Sequence, residues 1–305
     1  MEFIGEGSYG CVVKPGEKCY KKIKKNIITK IFIEKDEWKY ELKNYEIINK
    51  ILKKEHFIKK YDSCVKKLKN YNDDVYLNCT NINSLINGNT NLYQISYEYG
   101  GLDLDIIKKN SKILFKEIFK AFISIFETIY LLDKNNYIHQ DIRNPNILYN
   151  TKKKHMILID YGFLIKKDDF FSHDNNYIFY TSYHYAPEIN FNNYHEMYSS
   201  VLCKYSDSCN DLKFYNKLRE ETYKNIYELS KKKYKIYTNK LDIYMLGIIL
   251  LQNYLYYHSN KKLNLNKEQR TDVEKLIKNL LNINSEKRYS PKKALDVYLK
   301  IRNKL

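Results

Sequence analysis

No stretch of this 305-residue chain stays apolar for the length that crossing a bilayer requires. The longest apolar run, LDIYMLGIILLQNYLYY, carries Asp242 and Gln252 and reads as a buried helix of a globular core. The N-terminal MEFIGEGSYG has no basic segment leading into an apolar one, so no secretory signal is read and a cytoplasmic location is expected. No C-x-x-C pair occurs among Cys11, Cys19, Cys64, Cys79, Cys203 and Cys209. That scatter favours neither a zinc site nor a disulfide framework, and reduced, structural thiols are expected. Zinc-finger spacing, a basic region before heptads and an aromatic RNA-binding signature are all missing, so no motif supports nucleic-acid binding. There is no internal repeat.

Hydrophobic residues at 44% and charged ones at 29% are globular proportions, and the length suits one large or two-part domain. Lys and Arg number 53 against 36 Asp and Glu, a net charge of +17 that would favour acidic partners. The excess is mostly Lys and accompanies heavy use of Asn, Ile and Tyr, the set that AT-rich codons specify, so compositional drift accounts for the charge equally well. Residues 1–99 mix short β-like runs (CVVK, NIITKIFI, YQISYEY) with one helix, DEWKYELKNYEIINKILKK, whose Leu42, Tyr45, Ile48 and Leu52 share a face. From Ile113 helices dominate: ILFKEIFKAFISIFETIYLLDKNN, the apolar run around 239–257, KEQRTDVEKLIKNLLN and SPKKALDVYLKIRNKL. A β-rich first part and a helical second part make an α+β chain, with EYGGLDL as the joint. Residues 66–91 read as a polar insertion, a loop with one strand, and 190–239 as a second insertion with a charged helix near Leu212 to Lys232.

Three features carry chemistry. In GEGSYGCV, Gly5, Gly7 and Gly10 precede Val12, a spacing that lets backbone N–H groups approach a phosphate chain, although alone it suits a plain hairpin as well. Lys30 stands among Ile27, Ile28, Ile31 and Phe32, where an ammonium needs an anion. The following helix offers Glu41 and Glu46, and Glu41 is preferred because its face continues into Tyr45 and Ile48. Finally, NNYIHQDIRNPNILYN places Asp141 and Asn146 five residues apart, with His139 and Arg143 close by.

With those residues in view, the chain resembles a eukaryotic-type protein kinase, whose catalytic loop reads H-R-D-x-K-x-x-N. His139, Asp141, Arg143 and Asn146 occupy those places, and Asp160, Tyr161 and Gly162 stand for D-F-G. Ala186, Pro187 and Glu188 stand for A-P-E, Asp242 and Gly247 mark the helix that anchors the catalytic loop, and Arg288 matches the partner of the A-P-E glutamate. The likeness runs in order from Gly5 to about Leu299. It implies a bilobal fold in one kinase domain over 1–305, with an N-lobe at 1–99 and a C-lobe at 100–305.

The resemblance also implies ATP and Mg²⁺ as cofactors and phosphoryl transfer to Ser/Thr hydroxyls of protein substrates, acidic ones included, by a monomer away from membranes. Asp141 would take the hydroxyl proton and Arg143 would meet the transferring group. Asn146 and Asp160 would ligate Mg²⁺. Lys30, held by Glu41, would bind phosphates beneath Gly5, Gly7, Gly10 and Val12. Backbone near Glu98 and Gly100 would receive adenine, Tyr97 would guard the rear of the pocket, Asp103 would touch ribose and Leu148 would line the site. His139 receives no proton-transfer role. A pseudokinase scaffold binding acidic partners and a small-molecule kinase are the competing readings, the second disfavoured by the A-P-E segment.

Four departures matter. Gln140 replaces the arginine that grips an activation-segment phosphate, which predicts activity independent of such phosphorylation. Ile28 replaces a small residue against adenine, and Tyr161 replaces Phe. Arg143 leans toward tyrosine kinases, whereas Thr181, seven residues before Glu188, and Pro145 favour serine/threonine specificity. Ser172, Thr181 and Ser182 are candidate phosphorylation sites. The start GCVVKPGEKC, the YEYGGLDL joint and the composition are similar to serine/threonine kinases of large nucleocytoplasmic DNA viruses, which would place the protein in host cytoplasm or virion.

Overall fold

The computed structural model describes residues 2–7, 10–16, 19, 26–70, 79–83, 90–110, 112–170, 186, 213–230 and 237–305. They fall into two compact units, Met1–Gly101 and Leu102–Leu305, so the boundary comes after the second glycine of EYGGLDL rather than before the first.

The first unit is an antiparallel sheet of β1 (Glu2–Gly7), β2 (Gly10–Lys14), β3 (Ile27–Phe32), β4 (Lys60–Lys67) and β5 (Asn91–Glu98), in the order β1-β2-β3-β5-β4. Strand side chains alternate between faces, so Ile28, Lys30 and Phe32 share one face with their register partners Tyr97, Ile95 and Tyr93. Helix α1 (Lys35–Ile51) covers that face, packing Trp38, Leu42 and Tyr45 on Phe32, Ile95 and Tyr97. Cys11, Val13 and Ile31 point to the other face and bury against Leu68, Cys79, Ile82 and Leu92. Strand β4 escapes a sequence reading because KYDSCVKK buries only Cys64, and it lies at a sheet edge, where lysines discourage further pairing. Gly10 is a glycine for a local reason. Its φ is +153°, and a Cβ there would lie 1.7 Å from the carbonyl oxygen of Ile31.

The described part of the 66–91 segment carries the end of β4, a 3₁₀ turn (Leu68–Asn70), a short helix α2 (Thr80–Asn83) and the first residue of β5. Its residues 71–78 and 84–89, and with them the expectation of a strand within the insertion, lie outside the described residues. One expectation for this unit is corrected. The cysteines described here are not free thiols: Cys11 is bonded to Cys79 and Cys19 to Cys64, across 68 and 45 residues. Spacing along the chain carried no sign of this, because the sheet and the segment folded against it bring these positions together. The same corner ties α2 to β1, where the Glu6 carboxylate accepts from the Thr80 N–H at 3.3 Å and its hydroxyl at 2.6 Å. Cys203 and Cys209 lie outside the described residues.

The second unit holds α3 (Leu104–Ile107), α4 (Phe115–Ala121), α5 (Ile123–Lys134), α6 (Lys213–Ser230), α7 (Leu241–Ser259), α8 (Lys267–Leu280) and α9 (Pro291–Asn303). Short strands β6 (Leu102–Asp103), β8 (Ile147–Asn150) and β9 (His155–Leu158) form one small sheet, and β7 (Tyr137–Ile138) pairs with β10 (Ile165–Lys166). The expected single helix from Ile113 is two, because at Phe122 the backbone tightens to i→i+3 bonds. Every residue of α7 from Leu241 to Leu255 is buried, as an all-round apolar helix must be. Asn266 and Gln269 form a capping box that starts α8, and Ser290 caps α9 ahead of Pro291. Helix α6 belongs to the 190–239 insertion. It buries Tyr215 and Leu218 in the main core, and Glu221 pairs with Lys278 of α8 at 2.6 Å, so this part of the insertion covers the helical unit.

Gly247 lets α7 and α8 approach: a Cβ there would lie 2.9 Å from Leu280 Cβ and 2.9 Å from Leu281 Cδ2. Gly247→Val should therefore lower stability by about 2 kcal/mol through overpacking. The check is the urea midpoint followed by far-ultraviolet circular dichroism, and an unchanged midpoint would contradict this close packing.

Candidate active site

In the second unit, the segment between β7 and β8 is built around one carboxylate. Asp242, at the start of α7 and 2% exposed, accepts the backbone N–H of His139 at 2.8 Å and of Gln140 at 2.9 Å. Successive amides converge on one anion only where the backbone kinks, and Gln140 sits at φ 68°. Burial pushes the Asp242 carboxyl up to about 6, although the two amides favour its ionised form.

His139 is fully buried, and burial lowers its pKa to about 4, so the ring is neutral at physiological pH. Its Nδ1 accepts from the Asp141 N–H at 3.2 Å, which leaves Nε2 as the protonated nitrogen, 3.2 Å from the carbonyl of Ile159. The imidazole thus links the chain before Asp141 to the chain before Asp160, and its ring lies 4.9 Å from that of Tyr161. This is a structural histidine. Its hydrogen bonds give it no proton to transfer.

Asp141, Arg143 and Asn146 come together as one cluster. The Asn146 amide donates to the Asp141 carbonyl at 2.9 Å and to its Oδ2 at 2.6 Å, while Arg143 Nε lies 3.3 Å from Oδ1. Burial raises the pKa of Asp141 and the charge of Asp160 adds to this, whereas Arg143 and the Asn146 amide pull it down. A carboxylate with a raised pKa and two directed donors is suited to accepting a proton from a hydroxyl. Asp160 occupies a left-handed backbone conformation at φ 62° and ψ 71°. The Asn146 nitrogen is spent on Asp141, which leaves Oδ1 as its ligand atom. With the Asp160 carboxylate it gives the hard oxygen donors that Mg²⁺ prefers, so these two side chains fit that ion.

Residues that sequence reasoning passed over hold this loop. Asn144 Nδ2 donates to Asp105 Oδ1 at 3.2 Å and to Gln252 Oε1 at 3.3 Å, while Asn253 Nδ2 donates to Asn144 Oδ1 at 3.0 Å. Asp105 also pairs with the buried Lys108. Polar residues inside the apolar run of α7 were the available signal: Asp242 and Gln252 face this loop from two turns of one helix. Gln140 donates to the Phe163 carbonyl at 2.7 Å, where a cationic side chain was expected by likeness. Leu148 is buried on β8, in register with Asp103. Asp103 itself caps α3, accepting from the Ile106 N–H at 2.9 Å, so one of its oxygens is committed to the helix.

The first unit holds the other predicted residues. Lys30 Nζ lies 2.5 Å from Glu41 Oε2, while Glu46 is exposed. Val12 is the register partner of Lys30 on β2. Gly5 has no atom within 4 Å of an added Cβ, and Gly7 pairs with Gly10 at the turn end of β1. Tyr97 is buried on β5, its neighbour Glu98 ends the strand, and Gly100 follows. Arg288 is buried, stacks over the Tyr244 ring and donates to the carbonyl of Asn282 at 2.9 Å. Its expected partner Glu188, with Pro187, Ser172, Thr181 and Ser182, lies outside the described residues.

The neutral imidazole makes a pH prediction. Between its ordinary pKa of 6.5 and about 4 the unfolded chain binds a proton at His139 that the folded chain refuses. Stability from this group is therefore complete above pH 6.5 and is lost as the pH falls toward 4. Gln can donate and accept like the neutral ring, so the stability gap between wild type and His139→Gln should widen by about 3 kcal/mol as the pH rises across that window. Urea titrations at several pH values test it, and parallel profiles would refute the buried neutral ring.

The family model for the protein kinase domain matches residues 1–299. Calcium-dependent protein kinase 5 of Plasmodium falciparum (isolate 3D7) is 30% identical over 132 residues, 42% of this chain and 23% of that protein. Dual specificity protein kinase zakA of Dictyostelium discoideum is 28% identical over 164 residues, 53% of this chain and 18% of that protein. The chain thus spans less than a quarter of the length of either relative. A family match along nearly all of the chain, over a β-rich unit followed by a helical one, means that it belongs to the protein kinase domain family.

Proposed function

We propose that the protein transfers the γ-phosphoryl group of ATP to serine and threonine hydroxyls of protein substrates. The observation that carries this reading is the Asp141 cluster, in which Asn146 and Arg143 hold the carboxylate at 2.6 and 3.3 Å. That hold aims Asp141 to orient an acceptor hydroxyl and take its proton, and leaves a guanidinium beside it to meet the charge of the transferring group. Asn146 and Asp160 would hold Mg²⁺, which when bound neutralises phosphate charge. Lys30, paired with Glu41, would bind phosphates of ATP.

The finer parts of the reading rest on sequence. Preference for serine and threonine is supported by Pro145 and Thr181, and host cytoplasm or virion by the likeness to viral kinases. Independence from activation-segment phosphorylation is supported by Gln140, an uncharged side chain whose amide is spent on the Phe163 carbonyl and offers a phosphate no cation.

Radiolabelled ATP with casein or myelin basic protein tests the reading. Asp141→Ala and Asp160→Ala should each lose about a hundredfold or more of wild-type incorporation. Equal labelling by all three proteins would end the enzyme reading. Hydrolysis of the labelled substrate should yield phosphoserine and phosphothreonine, and phosphotyrosine as the main product would overturn the specificity. Phosphatase-treated enzyme should keep its rate, and loss of that rate would overturn independence from phosphorylation.

A further inference from the structure

Glu41 is held by two donors, and only one of them is Lys30. Tyr97, 4% exposed on β5, donates its hydroxyl to Glu41 Oε1 at 2.8 Å while Lys30 Nζ sits on Oε2 at 2.5 Å. The sheet register makes this possible. Tyr97 is the partner of Ile28 and Ile95 the partner of Lys30, so ammonium and phenol project from neighbouring strands on the face that α1 covers.

A carboxylate gripped at one oxygen can still turn about its last torsion, and one gripped at both cannot. The attachment extends along the helix. Tyr45, one turn after Glu41, lays its ring 6.1 Å from that of Tyr97 and accepts the Lys60 N–H at 2.9 Å. Helix α1 is therefore keyed to β5 by a hydroxyl and an aromatic contact, in addition to its ion pair with β3.

We propose that Tyr97 is a positioning residue for phosphoryl transfer: its hydroxyl fixes the Glu41 carboxylate, so that Lys30 keeps a single geometry toward the phosphates of the nucleotide. This rests on the kinase reading above. It differs from a wall at the rear of a pocket, since a wall needs the ring and this role needs the oxygen. When a phosphate draws on Lys30, the hydroxyl keeps Glu41 and α1 from following the lysine or turning to solvent.

Tyr97→Phe removes the oxygen and retains the ring against Tyr45. Steady-state kinetics of the full chain should show kcat/KM for ATP reduced about tenfold, corresponding to one charged hydrogen bond. KM for the protein substrate and the melting midpoint should stay unchanged. In a Glu41→Gln background the same substitution should cost less than twofold, because the group through which it acts is already altered.

Wild-type ATP kinetics in Tyr97→Phe would overturn the inference, as would penalties that multiply in the double variant. A midpoint that falls in step with activity would assign Tyr97 to stability alone and overturn it too. A wild type that transfers no phosphate would overturn the kinase reading and this inference together, a result easily told from an active wild type with an equally active Tyr97→Phe.

Discussion

The helical unit depends on a carboxylate placed where water cannot reach it. Asp242 stands at the head of a helix buried on all sides, and its two oxygens meet the amides of His139 and Gln140. A buried carboxylate without donors would be costly, and buried amides without acceptors nearly as much so. Each therefore solves the other's problem, and the solution fixes the backbone just ahead of Asp141. The helix extends the same service about three turns later through Gln252 and Asn253, which hold Asn144 on the far side of the loop. A segment with little regular structure is thus registered at both ends to a helix buried on all sides.

From that anchor the order of the side chains follows. His139, kept neutral by burial, joins the backbone of Asp141 to that of Ile159, one residue before Asp160. Asn146 returns to Asp141 from the end of the loop, and its own carbonyl accepts the Ile159 N–H at 2.9 Å. The two acidic groups of the proposed chemistry are therefore connected through short hydrogen-bonded paths rather than through flexible side chains, which is how a fold keeps reacting groups in place.

The β-rich unit reaches order by another route, the two-residue alternation of its strands. Alternation puts Lys30 on the face beneath α1, the helical repeat puts Glu41 within reach, and the β3–β5 pairing adds Tyr97. The other face is closed by Cys11, Cys79 and Ile82, which join the glycine-bearing strands to a segment more than sixty residues later. Apolar burial holds the sheet together. The polar groups decide how α1 is set upon it.

The strands β2, β3 and β5, the helix α1, the helices α7, α8 and α9 and the cluster of motif residues were all legible in the amino-acid order, because periodicity, caps and spacing are local properties. Strand β4 was not, since its side chains are mostly polar and its pairing partner lies about thirty residues away in sequence. Nor were the two cysteine pairs, the break at Phe122, the Asn144 network or the hydroxyl of Tyr97 on Glu41. By itself the sequence determined which elements form and which residue types stand ready for chemistry. Only the tertiary structure decided which oxygen meets which donor, because a hydrogen bond depends on a few tenths of an ångström between groups that the chain separates by as much as a hundred residues and more.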